Sequence, residues 1–426
     1  MNVHSRNGIS TTIGVSVIIV LLLAAAVAYY FISSTGTKTT TTPTTTTTAG
    51  PLPGKGMSIG VIFDVGGLGD RGFNDLAFQG MSQANTTLGV DTHYVVAASS
   101  NDYTSDFEAI IAKHVNLVVG VGFNMDPTIA QEAAKYPNQK FAQVDGDIYN
   151  LTNVIAIKFT EHTGSAIVGA LSVAMTNTNK IAFLGGVPFS IIYKFWNGWK
   201  AGAVWASNYL HKNVTLLKQF DSTDFSVGFS DPAGGQRITQ SFISQGADIV
   251  FMVAGGTGIG GLKAVGQYDI QQGWNFTSAK PPVFGIGVDA NQDYYGTYGF
   301  FVKNSSTFSA PSFVLTSEIK KVDFGVFKVM QSVVYGNYSN YWNDAATFGG
   351  GYFSGSTTLC GTTGDQPCHV RNVLQLGLAQ GAVGPTPFQY SSQYLTPAAK
   401  NILTQITRGI LNGTIVIPEN YNDSPT

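Results

Sequence analysis

From residue 57 onward, short runs rich in Val, Ile and Phe alternate with longer stretches in which apolar residues recur every three or four positions. The first kind reads as buried strands and the second as amphipathic helices. Strands are expected over SIGVIF, THYVVAA, VNLVVGVG, KFAQVDG, NVIAIKF, KIAFLGG, VTLLKQF, ADIVFMV, PVFGIGV and SFVLTS. Helices are expected at 75–87, 102–113, 126–135, 163–175, 195–210, 235–245, 258–266 and 318–335. This alternation builds parallel sheets from βαβ units, which is the α/β class. The opening SIGVIFDVGG and its helix are echoed by KIAFLGGVPF and its helix in the second half. Two similar doubly wound lobes are therefore expected, each presenting loops at its strand ends.

Before residue 57 the pattern is different. After a short segment, 1–12, residues 13–32 form an uncharged apolar run of membrane-spanning length. A secretory h-region is usually ~7–15 residues, so a retained anchor is expected. Arg6 and His4 precede the run and place the N-terminus inside. The segment RNGIS also resembles an archaeal pilin-like signal cut after Gly8, and both readings put the following chain outside the cell. Residues 33–56 are a Thr/Pro-rich stalk that as a flexible coil spans ~25–30 Å.

Composition narrows the partners. The 426 residues carry a net charge of −2 and only 11% are charged, so no basic surface for nucleic acid is expected. N-x-[ST] sequons at Asn85, Asn150, Asn213, Asn275, Asn304, Asn337, Asn412 and Asn422 suit an extracellular glycoprotein. Cys360 and Cys368 are the only cysteines, in a Gly/Thr/Ser-rich insertion at 350–370, and outside the cell a local disulfide is the leading reading. The six His are scattered without metal-ligand spacing, and G-x-S-x-G and H-E-x-x-H are absent. No cofactor, no metal and no enzyme chemistry are expected. The alternatives kept open are a nucleoside hydrolase, for which DVGGLGD supplies only two acids, and a sensory or surface-structural protein.

The candidate site opens with DVGGLGDRGFND at 64–75, directly after the first strand. In open α/β sheets ligands bind beyond the carboxyl ends of the strands. This loop brings there two acids, a ring (Phe73) and an amide (Asn74), which suits a small polar molecule with a flat ring. Asp70 reads as a cap or loop-ordering acid. The run AGGTGIGG at 254–261 contains a G-x-G-x-x-G but lacks the acid expected ~20 positions on, so a dinucleotide cofactor is not expected.

Taken together, DVGGLGDRGFN (64–74), FAQVD (141–145), IKFTE (157–161), IAFLGG (181–186), FWNGWKAG (195–202), GADIVF (246–251), AGGTGIGG (254–261), GIGVD (285–289) and VLTSEIK (314–320) resemble the basic membrane protein family, which includes purine-nucleoside receptors of ABC importers. The stretch 372–418 also fits. Gly72 stands where that family usually has Ser, and Asn291 where it often has Asp. The resemblance implies a type I periplasmic-binding-protein fold at 57–420, with two doubly wound lobes, three crossovers and a ligand in the cleft. Lobe 1 is then expected at about 57–157 and 315–345, and lobe 2 at about 158–314 and 372–420.

The resemblance also implies a ligand set. Phe73 and Phe195 would cover the two faces of a base, and Asn74 would bond its edge. Asp145 would accept from the base or from Asn74. Asp64 would reach the ribose or position the Gly-rich turn, and Asp289 would accept ribose hydroxyls. Gly255 and Gly256 would let backbone approach the ligand. Lys320 would bridge the ribose side to Asp64 or Asp289. The competing readings are a helix-start staple for Phe73, an N-cap for Asn74, a turn acid for Asp145 and a solvated helix lysine for Lys320. The function so implied is a membrane-tethered extracellular binding protein that delivers a nucleoside, purine first, to an ABC permease.

Overall fold

The computed structural model describes residues 50–148, 151–277, 279–338 and 373–419. The apolar run 13–32, most of the stalk, Asn150, Asn422 and the Cys360/Cys368 pair lie outside these residues. Among the described residues, no helix is long and apolar enough to cross a membrane.

The first sheet contains β1 (Ser58–Phe63), β2 (Asp91–Val96), β3 (Leu117–Val121), β4 (Phe141–Val144), β5 (Val154–Phe159) and β11 (Val373–Leu376), in the order β11-β5-β4-β3-β1-β2. All its pairings are parallel, for example Ile59 beside Thr92 and Leu117. Its inner strands are near-continuous apolar runs because helices cover both faces. The edge strand β2, DTHYVV, instead mixes exposed with half-buried residues. Helices α1 (Phe73–Leu88) and α8 (Val322–Val334) pack on one face. Helices α2 (Tyr103–Ile111) and α3 (Asp126–Lys135) pack on the other.

The second sheet runs β12-β10-β9-β8-β6-β7, from β6 (Lys180–Gly185), β7 (Thr215–Phe220), β8 (Ile249–Val253), β9 (Phe284–Asp289), β10 (Val314–Lys320) and β12 (Val383–Pro385). Only β12 is antiparallel, paired with β10. Helices α4 (Glu161–Met175), α5 (Ser190–Leu210), α6 (Pro232–Ser244), α7 (Gly255–Gln271) and α9 (Pro397–Leu411) enclose its core.

The chain crosses between the lobes at residues 160, 321 and 377–382, and these crossings bond to one another. Thr160 N–H donates to Leu376 O at 3.0 Å and Lys321 N–H to Ala382 O at 2.9 Å.

Two strands exchange lobes relative to the expected division. Strand β10, expected with lobe 1, lies in the second sheet, and β11, expected with lobe 2, forms an edge of the first. The helix expected from 318 begins only at Val322. Glu318 and Lys320 finish a strand instead, on the same side as Thr316 by period-two alternation, beyond a register shift between Val314 and Thr316. Charged residues at a strand end look helical when their burial is unknown. Strands β11 and β12 and helix α9 are additional to the elements the pattern implies. Both strands are too short to carry a periodic signal. Helix α9 had a legible start: Thr396 caps it by accepting from Ala399 N–H at 3.1 Å, and Pro397 follows.

Candidate functional site

The strand ends of both sheets face one cleft of about 630 Å³, including the part open to solvent. The first lobe lines it with Asp64, Asp70, Phe73, Asn74, Phe123 and Asp145. The second lines it with Phe195, Phe229, Gly255, Asp289 and Lys320, among others. Of the expected set only Gly256 is missing from this lining. An added Cβ would lie 3.2 Å from the Phe229 carbonyl at Gly255 and 3.1 Å from it at Gly256.

Each side chain is delivered by a strand end or a helix start. Asp64 follows β1 and is held within its own lobe: its carboxylate accepts from Tyr103 Oη, from Val65 N–H at 2.7 Å and from Asn124 Nδ2 at 3.2 Å. Asp70 accepts backbone N–H groups of Gly72, Asn74 and Asp75 at 3.0, 2.8 and 3.2 Å, and so secures the start of α1. Asp75 answers by accepting from Gly69 and Arg71 N–H at 2.7 and 3.0 Å. The loop is therefore braced by hydrogen bonds of its own. Phe195 lies in the second turn of α5 and does not open the helix as expected. Trp196 and Trp199 beside it are core residues.

Asp145 and Asp289 end their strand runs in the left-handed region, with φ of 62° and 61°. Residues other than glycine rarely adopt this conformation, and it gathers at functional sites. It turns both carboxyls toward the cleft. Of the two partners expected for Asp145, the base or Asn74, its Oδ2 takes neither here and accepts from Lys320 Nζ at 2.6 Å. Lys320 likewise pairs with neither Asp64 nor Asp289. Its second neighbour is Glu161 Oε1 at 3.0 Å, on the residue that opens α4. Far from being a solvated helix lysine, Lys320 is 1% exposed. Its ammonium lies 5.2, 5.2 and 5.6 Å from the ring centres of Phe73, Phe159 and Phe195.

Electrostatics follow from this burial. Desolvation opposes the Lys320 charge, but Asp145, Glu161 and Asp289 outweigh it and hold the ammonium protonated. Desolvation pushes the Asp145 carboxyl up despite Lys320. It pushes Asp289 up to about 7, and Glu318, also facing this cluster, well above the carboxylate range. Glu161, Glu318 and Phe123 were not singled out from sequence. Their only signal was position: Glu161 closes IKFTE, and Phe123 follows the third strand.

Three oxygens of the lining are buried without a partner: Asn74 Oδ1, Asp145 Oδ1 and Asp289 Oδ1. Such groups cost free energy until a donor reaches them. The cleft thus offers acceptors and aromatic faces to a molecule rich in donors with a flat ring. Among the described residues, no group of three or more His, Cys, Asp and Glu is placed to hold a metal ion.

Fold and cleft together define a two-lobed binding protein of the type I periplasmic-binding-protein architecture. The chain belongs to the family described as ABC transporter substrate-binding protein, PnrA-like, whose model matches residues 57–349. An uncharacterized lipoprotein of Pyrococcus horikoshii is 30% identical over 67% of this chain. The chain spans 65% of that relative's length. The ABC transporter nucleoside-binding protein BmpA of Lactococcus lactis is 28% identical over 62% of this chain and 72% of its own. The solved solute-binding protein of an ABC transporter system from Aeropyrum pernix K1 shares the fold, with a TM-score of 0.67 and 21% identity over 86% of this chain and 95% of its own.

Proposed function

We propose that this protein is the extracellular, membrane-tethered receptor of an ABC importer, closing its lobes on a nucleoside, purine first, and presenting it to the permease. The observation that carries the ligand is the pairing of phenylalanine faces with unpartnered buried acceptors in one cleft. A nucleoside supplies the complement: a flat base with N–H donors and a ribose with two adjacent hydroxyls. Phe73 and Phe195 cover the base, with stacking worth ~1–3 kcal/mol. Asn74 and Asp145 bond its edge, Asp289 accepts ribose hydroxyls, and backbone at Gly255 approaches the ligand closely. Asp64 acts as scaffold, since donors of its own lobe already occupy both oxygens. Lys320 neutralises Asp145. The nucleoside-binding relative supports this reading.

Tethering by residues 13–32 and the stalk rests on the sequence, as do the Cys360–Cys368 disulfide and glycosylation. Asn85, Asn213, Asn275, Asn304 and Asn412 are exposed, as acceptors of sugar need to be. Calorimetric titration with purine and pyrimidine nucleosides, sugars and amino acids tests the ligand. Saturable heat from purine nucleosides is expected. Heat only from a sugar or an amino acid would sink the assignment, and free base accumulating in the cell would mean hydrolysis.

A further inference from the structure

We infer that Asp70 is a positioning residue for recognition: it fixes the Asn74 amide so that an oxygen is the unpaired atom offered to the ligand. The inference rests on the nucleoside reading and deepens it by naming what the base has to present.

The argument is one of donors and acceptors. Three backbone N–H groups, of Gly72, Asn74 and Asp75, converge on the Asp70 carboxylate at the start of α1. Burial pushes the Asp70 carboxyl up and these hydrogen bonds oppose it; since Oδ1 faces the Gly72 and Asp75 N–H groups and Oδ2 the Asn74 N–H, both oxygens are placed as acceptors. The Asn74 side-chain atom 3.1 Å from Asp70 Oδ2 is therefore the nitrogen, Nδ2. The amide cannot turn over without setting oxygen against oxygen. Its Oδ1 is thus the atom left over, on a residue 3% exposed that lines the cleft, and it has no partner. A base that meets this oxygen with an N–H satisfies it, whereas one that meets it with a lone pair leaves two acceptors opposed. Selectivity among nucleosides is set here by an acid that need not touch the ligand.

Guanosine and adenosine test this, because they carry opposite donor and acceptor character at ring position 1 and at the exocyclic group on carbon 6. Their affinities for the full chain and its variants would be measured by calorimetry, with thermal melting as the check on folding. In Asp70→Asn the new amide keeps an oxygen for the Gly72 and Asp75 N–H groups and turns its nitrogen toward the Asn74 side chain, at the cost of the acceptor that the Asn74 N–H had. Asn74 then reverses and offers nitrogen to the cleft. The guanosine-to-adenosine affinity ratio is expected to change by about tenfold or more. The exchanged pair Asp70→Asn with Asn74→Asp returns an acceptor to the cleft and should restore the original ratio to within about threefold. A folded Asp70→Asn that weakens both ligands by one factor would overturn the inference and leave Asp70 a helix cap. Should Asp70→Asn fail to fold, Asn74→Ala has to lose the ratio while the exchanged pair keeps it, and an unchanged ratio in Asn74→Ala overturns the inference. No nucleoside binding by the unsubstituted protein removes the nucleoside reading and this inference with it; binding with an unmoved ratio removes the inference alone.

Discussion

Asp289 combines a left-handed backbone, a buried unpaired oxygen and a carboxyl raised to about 7. In the folded, ligand-free protein it binds a proton more tightly than in the unfolded chain. The stability it contributes is therefore complete below about pH 4 and is lost as pH rises through about 7. Asp289→Asn, which cannot ionise, should gain on the unsubstituted protein across that window, and denaturant unfolding from pH 4 to 8 checks it. A constant difference over the window would mean Asp289 titrates normally. Lys320 poses the opposite case. Lys320→Met would leave Asp145 and Glu161 buried without their cation, and a loss of about 3–5 kcal/mol is expected in the same measurement. Both residues were legible as candidates because GIGVD and VLTSEIK end on them. Their partners were not, since Lys320 meets Asp145 across 175 positions of chain.

At the scale of elements, the seat of Phe195 depends on how α5 meets α4. The two helices touch backbone to backbone at glycines. An added Cβ at Gly202 would fall 1.9 Å from Ala166 O, one at Gly198 2.1 Å from His162 O, and one at Gly169 2.1 Å from Trp199 O. Alanine is the better helix former by up to ~1 kcal/mol, so propensity alone favours Gly202→Ala. The contact reverses the sign: the helices have to separate, at ~1–3 kcal/mol, and carry Phe195 with them. Lower melting temperature together with weaker ligand binding is expected, and a stabilised variant would refute the close approach. The spacing of Gly198 and Gly202 on one helical face was readable in FWNGWKAG, whereas which helix they met was not.

Across the whole molecule, aromatic and polar contacts join the two lobes beside the cleft. Phe123 of the first lobe stacks on Phe189 of the second, with centroids 4.7 Å apart and planes 15° from parallel, and Phe225 meets both edge-on. On the loop of the first motif, the Arg71 guanidinium sits over Tyr295 and Phe300 at 5.0 and 5.3 Å, and the Arg71 carbonyl accepts from Gln292 Nε2 at 3.2 Å. These contacts bias an opening equilibrium, and affinity falls with the fraction of closed molecules. Phe123→Ala and Arg71→Ala should therefore enlarge the radius of gyration of the ligand-free protein in small-angle X-ray scattering and leave that of the saturated protein unchanged. Identical scattering without ligand would show that these rings do not govern closure.

What the sequence determined by itself was local: apolar runs that had to become buried strands, amphipathic stretches that had to cover them, and acids and rings at the strand ends. Covalent neighbours impose these, so the α/β class, most elements and most of the cleft residues could be read in order along the chain. Only the tertiary structure decided which sheet β10 and β11 joined, that Glu161 and Asp145 share Lys320, and that Asn74 answers to Asp70. Each of those depends on burial and on partners brought together from separate parts of the chain. The free energy of a charge or an amide is set by its solvent and its nearest donor or acceptor, and neither exists until the lobes have folded.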